Sequence, residues 1–156
     1  MTTPSGPPTG PSPGPSPGPP TAASPGARVG LRVTHRRYVA AGSAHYAGGL
    51  VDGAYTLAAF GDVATEMCIR TDADEGLFAS YSDVQFLAPV RAGDILEVEA
   101  TLVRVGTRSR EMSFQARVIA RGNPARGESA ADLLDPQLTA TTARGVVVVP
   151  LPDSPW

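Results

Sequence analysis

Between positions 45 and 70 the chain gathers a histidine, a pair of glycines and a series of carboxylates around one helix. His45-Tyr46-Ala47-Gly48-Gly49 runs into Leu50-Val51-Asp52-Gly53-Ala54, and Asp62 and Glu66 follow before Arg70. Backbone N–H groups at a helix start bind anionic oxygens, and an imidazole moves protons near neutrality. These residue types suit removal of a proton beside a carbonyl whose oxygen becomes negative. Gly48, Gly49 and Leu50 are the candidate donors to that oxygen, because glycine lets a carbonyl come close to the backbone. Losing one such donor costs about 3–4 kcal/mol in barrier. A plain helix start that needs a flexible backbone would carry the same glycines.

The candidate proton carriers are His45, Asp62 and Glu66. Asp62 and Glu66 stand four apart and share a helix face, where like charges disfavour each other. Arg70 lies at i+4 from Glu66, which makes an ordinary exposed ion pair the default for that residue. Asp62 has no arginine at i+4 and lies nearer the apolar side, where burial would raise its pKa and suit a catalytic task. Asp52 complements the dipole at the predicted helix start and reads as structural. His35, beside Arg36 and Arg37, reads as structural too.

The elements that must position these residues follow from periodicity. Residues 30–39 alternate as a first strand, and 40–48 form a small-residue loop. Over the predicted helix from Leu50 to Arg70, residues Leu50, Ala54, Leu57, Gly61, Ala64 and Cys68 fall within about 40° of one line. Small residues along that line predict a close neighbour. After a turn at Thr71–Gly76, strands are predicted over 77–88, 95–105 and 110–121. Leu96, Val98, Ala100 and Leu102 share one face of the second of these, and Met112, Phe114, Ala116, Val118 and Ala120 one face of the third. Tyr81, Asp83 and Gln85 alternate onto one face of strand 77–88, either lining a pocket or lying at an exposed edge. Residues 122–136 read as a loop with one helical turn at 129–134, and 138–149 as a last strand in which Gly145 marks a bulge or a close backbone contact. The expected class is α+β, one long helix packed on one antiparallel sheet. A single helix leaves apolar area unsatisfied, so a homodimer or a larger closed assembly is expected.

The chain has 156 residues, and its first 27 are rich in Pro, Gly, Ser and Thr with no charge or aromatic ring. That stretch has too little to bury to offset its ordering entropy and reads as a disordered tail. Positions 28–150 form the one domain, and 151–156 a short Pro-rich tail. The net charge of −2 leaves no electrostatic footprint for nucleic acid or an anionic membrane. All 13 basic residues are arginine, which excludes a lysine Schiff base or lysine general base. The single cysteine, Cys68, permits no disulfide framework within a chain. No metal-ligand spacing and no nucleotide-phosphate loop is present. No apolar run approaches a membrane span, so a cytoplasmic protein is expected.

The strand–helix–four-strand order is that of the hot-dog fold, in which the sheet wraps round the helix. Hot-dog dehydratases place a histidine before a glycine-containing helix start and an acid within the helix. Here Asp52-Gly53 replaces their proline-glycine, and Asp62 comes a turn later than their acid. Hot-dog acyl-CoA thioesterases resemble Gly48-Gly49 and Asp62-Val63-Ala64, with a longer separation. A third group matches through most of the domain. His45-Tyr46, Leu50-Val51-Asp52-Gly53-Ala54, Phe60-Gly61-Asp62-Val63-Ala64-Thr65-Glu66, Ile69-Arg70, Asp74-Glu75-Gly76-Leu77-Phe78, Val84–Val90, Ala92-Gly93-Asp94 and Val105–Arg110 resemble the 3-aminobutyryl-CoA and β-alanyl-CoA ammonia-lyases. That resemblance covers residues 31–150. It implies a lyase that eliminates ammonia from a β-aminoacyl-CoA, with coenzyme A as part of the substrate and no separate cofactor. It further implies hexamers built as trimers of dimers. For that reaction a carboxylate that orients the substrate ammonium would suffice, Asp62 before Glu66, with the parts of His45, Asp62 and Glu66 left open. Arg108, Ser109 and Arg110 stand at the hairpin where relatives of this fold hold the CoA pantetheine and phosphates, and arginine forks match phosphate oxygens.

Overall fold

The computed structural model describes residues 28–151. The tail expected at 1–27, and residues 152–156 of the C-terminal tail, lie outside the described residues. Strands β1 (Arg32–Tyr38), β2 (Leu77–Phe86), β3 (Ile95–Val105), β4 (Ser109–Gly122) and β5 (Ala131–Val148) surround one long helix, α1 (Gly53–Asp72). The strands form a single antiparallel sheet in the order β1-β3-β4-β5-β2. Alternation puts Leu96, Val98, Ala100 and Leu102 of β3 and Met112, Phe114, Ala116 and Val118 of β4 on the inner face, all buried. Ala120, assigned to that face as well, is only half-buried near the end of β4.

The helix seats a different face from the one the small residues suggest. Thr56, Ala59, Phe60, Val63, Ala64, Met67, Cys68 and Thr71 are buried, whereas Ala54 is exposed and Leu57 and Gly61 are half-buried. Large side chains gain more from leaving water, about 1.5–3 kcal/mol for a Phe, Val or Met. Phe60, Val63 and Met67 therefore turn into the concave sheet, and the small-residue line lies at the edge of the buried face, with only Ala64 and Cys68 of it buried. Phe60 stacks on Phe114 with ring centroids 5.1 Å apart, joining helix and sheet at the centre of the core.

Three further expectations change. The 122–136 loop is largely strand: β4 runs to Gly122 and pairs with β5 from Ala131, so only the tip at 123–130 turns, and no helical turn forms at 129–134. Backbone groups here pair along the ladder, which outweighs the weak local helical pattern. In β2 the alternation is broken by register shifts between Phe78 and Ser80 and between Ser82 and Gln85, with Asp83 at φ 51°. Phe78, Tyr81 and Val84 consequently pack against the core at a spacing of three, while Asp83 and Gln85 are exposed. Gly145 is a close contact: a Cβ there would lie 2.6 Å from the Phe78 ring.

The C-terminal end of α1 is tied down by buried charge. Asp72 takes a bidentate grip from Arg110 at the start of β4, and Arg28 reaches the same carboxylate at 3.0 Å. Burial pushes the Asp72 carboxyl up, but hydrogen bonds from Arg110 and Thr71 and the charges of Arg110 and Arg28 outweigh it and hold the group below its ordinary value. Removing one member of a buried pair strands the other charge. Arg110→Ala is expected to cost about 3–5 kcal/mol of unfolding free energy in urea titrations. Arg104→Ala, which breaks the exposed pair with Glu111, is expected to leave the urea midpoint nearly unchanged.

Candidate active site at the helix start

Asp52 is the N-cap of α1, with extended backbone (φ −78°, ψ 169°) and its Oδ1 accepting the Tyr55 N–H at 3.0 Å. The helix thus opens at Gly53, three residues later than expected. Gly48 and Gly49 force that delay, because both stand in the left-handed region at φ 79° and 76°. They turn the chain so tightly that the N–H groups of His45 and Tyr46 both donate to the Leu50 carbonyl, at 2.8 and 3.0 Å. The turn is pinned to the segment between β2 and β3 by Ala92 N–H on the Gly49 carbonyl (2.8 Å) and Val51 N–H on the Val90 carbonyl (3.1 Å). Among the described residues neither Gly48 nor Gly49 donates a backbone hydrogen bond.

A cavity of about 450 Å³ opens beside this turn. Tyr46, Asp52, Gly53, Thr56, Phe86 and Thr141 line it, together with Val51 and residues 87–90. Its wall holds two buried hydroxyls in series: Thr141 donates to Thr56 at 3.1 Å, and Thr56 donates to the Gly53 carbonyl at 2.9 Å. Phe86 lies so close to Gly53 that an added Cβ would meet ring carbons at 2.6 Å. Thr56, Phe86 and Thr141 carry no sequence signal for a site, since they are brought in from α1, β2 and β5 by the fold alone. Asp52 was visible but read only as a helix-dipole residue.

The helix carboxylates lie elsewhere. The Asp62 side chain is 58% exposed and pairs with Arg37 of β1 at 2.5 Å, so the burial expected for it does not occur within one chain. Glu66 forms the expected pair with Arg70, also at 2.5 Å, and in addition a short hydrogen bond with His35 of β1. His35 and Arg37 face the helix because β1 alternates, which gives His35 a specific partner. From Asp52 to Asp62 the helix rises roughly 15 Å. His45, which meets the Tyr46 ring and approaches Asp52, is therefore not brought together with Asp62 or Glu66 in one chain. Tyr81 donates its hydroxyl to the Leu57 carbonyl at 2.7 Å, and burial with the Asp62 charge pushes that hydroxyl up to about 12. Burial likewise pushes the Cys68 thiol up to about 11, which leaves it no use as a nucleophile.

At the β3–β4 hairpin the three candidate CoA contacts divide. Arg110 is buried on Asp72 and also donates to the Gly106 and Ser109 carbonyls, so its guanidinium is committed internally. Arg108 and Ser109 are half-buried, with Arg108 Nε 3.4 Å from the Val149 carbonyl. Alternation along β4 separates them: position 110 points into the core.

Residues 48–123 match the thioesterase superfamily. The chain is 48% identical over 112 residues to a 3-aminobutyryl-CoA ammonia lyase from Acetoanaerobium sticklandii, spanning 72% of this chain and 89% of that protein. The chain belongs to the hot-dog 3-aminobutyryl-CoA/β-alanyl-CoA ammonia-lyase family. The solved β-alanyl-CoA:ammonia lyase from Clostridium propionicum superposes with a TM-score of 0.73 at 34% identity, covering 78% of this chain and 86% of its own. A hexameric thioesterase from Yersinia pestis shares the fold, with a TM-score of 0.62 at 17% identity over 80% of this chain and 91% of the other. In this ammonia-lyase family member, no group of His, Cys, Asp and Glu able to hold a metal ion occurs among the described residues.

The β1–helix contact makes stability depend on acid. Hydrogen bonds from His35 and then Arg70 hold the Glu66 carboxyl below its ordinary value of 4.5. A depressed carboxyl contributes stability above its unfolded pKa and loses it as pH falls through the folded one. Urea midpoints of wild type and Glu66→Gln are expected to differ fully above about pH 5.5 and to converge as the pH falls below about 4.5.

Proposed function

We propose that this protein eliminates ammonia from a β-aminoacyl-CoA, reversibly: 3-aminobutyryl-CoA to crotonyl-CoA, or β-alanyl-CoA to acryloyl-CoA. The observation that carries this reading is the 48% identity across 89% of a 3-aminobutyryl-CoA ammonia lyase. The substrate brings its own coenzyme A, and no further cofactor enters. His45 takes the α-proton, whose charge spreads onto the thioester oxygen. The N–H groups in the 48–50 turn are suited to hold that oxygen, since among the described residues Gly48 and Gly49 donate neither of theirs to a backbone carbonyl. The C–N electron pair leaves with nitrogen as ammonia, so no acid is needed for departure, and the proton on the imidazole then returns to ammonia as ammonium. Asp62 orients the substrate ammonium, with Glu66 second to it because Arg70 and His35 already engage Glu66. Arg108 and Ser109 contact the CoA moiety.

The rise of roughly 15 Å between Asp52 and Asp62 supports an active homo-oligomer, in which a second copy brings its helix carboxylates to this helix start. The exposed Leu77, Phe86 and Leu87 at or beside the β2 edge supply apolar area for such pairing. A dimer, or a hexamer made of three dimers, satisfies that need. No helix of the described residues is long and apolar enough to cross a membrane.

Hydrolysis of an acyl-CoA is the second reading, favoured by the superfamily match over residues 48–123. One assay separates the two. Purified protein incubated with crotonyl-CoA and ammonium is expected to consume the enoyl thioester with no release of free thiol. Thiol release would establish a thioesterase instead, and no change in either signal would end both readings. Asp62→Asn is expected to slow the addition by at least about tenfold, within the range of a positioned charged group. Glu66→Gln is expected to slow it less.

A further inference from the structure

We propose that Asp52 is a positioning residue that acts through His45, in addition to capping the helix. This inference rests on the reading of His45 as the base. The two oxygens of Asp52 have separate partners: Oδ1 accepts the Tyr55 N–H at 3.0 Å, and Oδ2 lies 4.0 Å from His45 Nδ1. The cap bond fixes the carboxylate, so it cannot swing away from the ring. His45 needs such a partner. Its backbone is set by the hydrogen bond to the Leu50 carbonyl, but its side chain is 60% exposed, and packing does little to choose its rotamer. The Tyr46 ring meets it edge-on at a centroid distance of 4.5 Å, and Asp52 supplies the nearby carboxylate.

A carboxylate facing Nδ1 favours the tautomer with hydrogen on Nδ1. Nε2 then keeps its lone pair for the α-proton of the substrate. When Nε2 takes that proton, the C–H electrons form the new double bond and the C–N electrons leave with ammonia. The resulting imidazolium faces a fixed negative charge until the proton passes to ammonia. At 4.0 Å the pair is longer than a direct hydrogen bond, and contacts of this kind tighten when substrate binds.

Capping and positioning can be separated because Asn and Ser cap helices about as well as Asp but carry no charge. Asp52→Asn and Asp52→Ser are expected to melt within about 2 °C of wild type. With crotonyl-CoA and ammonium, both are expected to lose at least about tenfold in kcat with KM within about twofold, a share of what a general base contributes. A residue that acts through His45 has nothing left to do once His45 is gone, so His45→Gln/Asp52→Asn is expected to be no slower than His45→Gln alone. Wild-type kcat in Asp52→Asn, or losses that multiply in the double variant, would overturn the proposal. A second readout does not depend on lyase activity. The sequence has two histidines, so His45→Gln assigns the ring signals in ¹⁵N NMR. The Nδ1–H form is expected at His45 in wild type and a shift toward Nε2–H in Asp52→Asn; the same tautomer in both would overturn the pairing. Absence of lyase turnover in wild type would refute the proposed function while leaving the tautomer measurement to judge Asp52.

Discussion

The contact on which the rest of the structure depends is the seating of one helix in the concave side of five strands. Phe60, Val63 and Met67 of α1 and the buried rows of β3 and β4 form a single core, and no second helix among the described residues shares the work. Because so much apolar area converges on one element, the helix axis and its rotation are set by large side chains. That rotation places Asp62 and Glu66 on the flank beside β1, where Arg37 and His35 meet them. It also leaves the first turn of the helix open to the cavity walled by β2 and β5 residues.

Both helix ends are fixed by charge or capping, by different physics. At the C-terminal end, the half-buried Asp72 is held between Arg28 and the buried Arg110, and Ala73 in the left-handed region closes the last turn with its N–H on the Ile69 carbonyl. This end is built for rigidity, since a buried arginine tolerates little rearrangement of the carboxylate that pairs with it. At the other end, Asp52 is only partly buried, and the chain before it turns through two left-handed glycines. Among the described residues the N–H groups of Gly48 and Gly49 make no backbone hydrogen bond, and the cavity opens beside that turn.

The separation along the helix bears on the site as much as the residues themselves do. Candidate groups near His45 and candidate groups near Asp62 are held apart by the stiffness of α1 itself. A helix transmits position faithfully over its length, so the chain cannot fold to bring them together. Leu77, Phe86 and Leu87 remain exposed at or beside the β2 edge.

By itself the sequence determined the fold class, the inner faces of β3 and β4, the Glu66–Arg70 pair and the family. Each of these is written in local periodicity, i,i+4 spacing or ordered strings of residues. The tertiary structure alone decided the rotation of α1, the partners of Asp62 and Glu66 on β1, the burial of Arg110 and the assembly of Thr56, Phe86 and Thr141 around one cavity. These depend on which distant strand lies beside the helix, and on the glycine turn that moved the helix start to Gly53. Local pattern cannot encode such neighbours, because they are chosen by the packing of large side chains far apart in the chain. The histidine and glycines at 45–49 stood out from their types alone, but Asp52, capping the helix and facing His45, emerged only when the turn was folded.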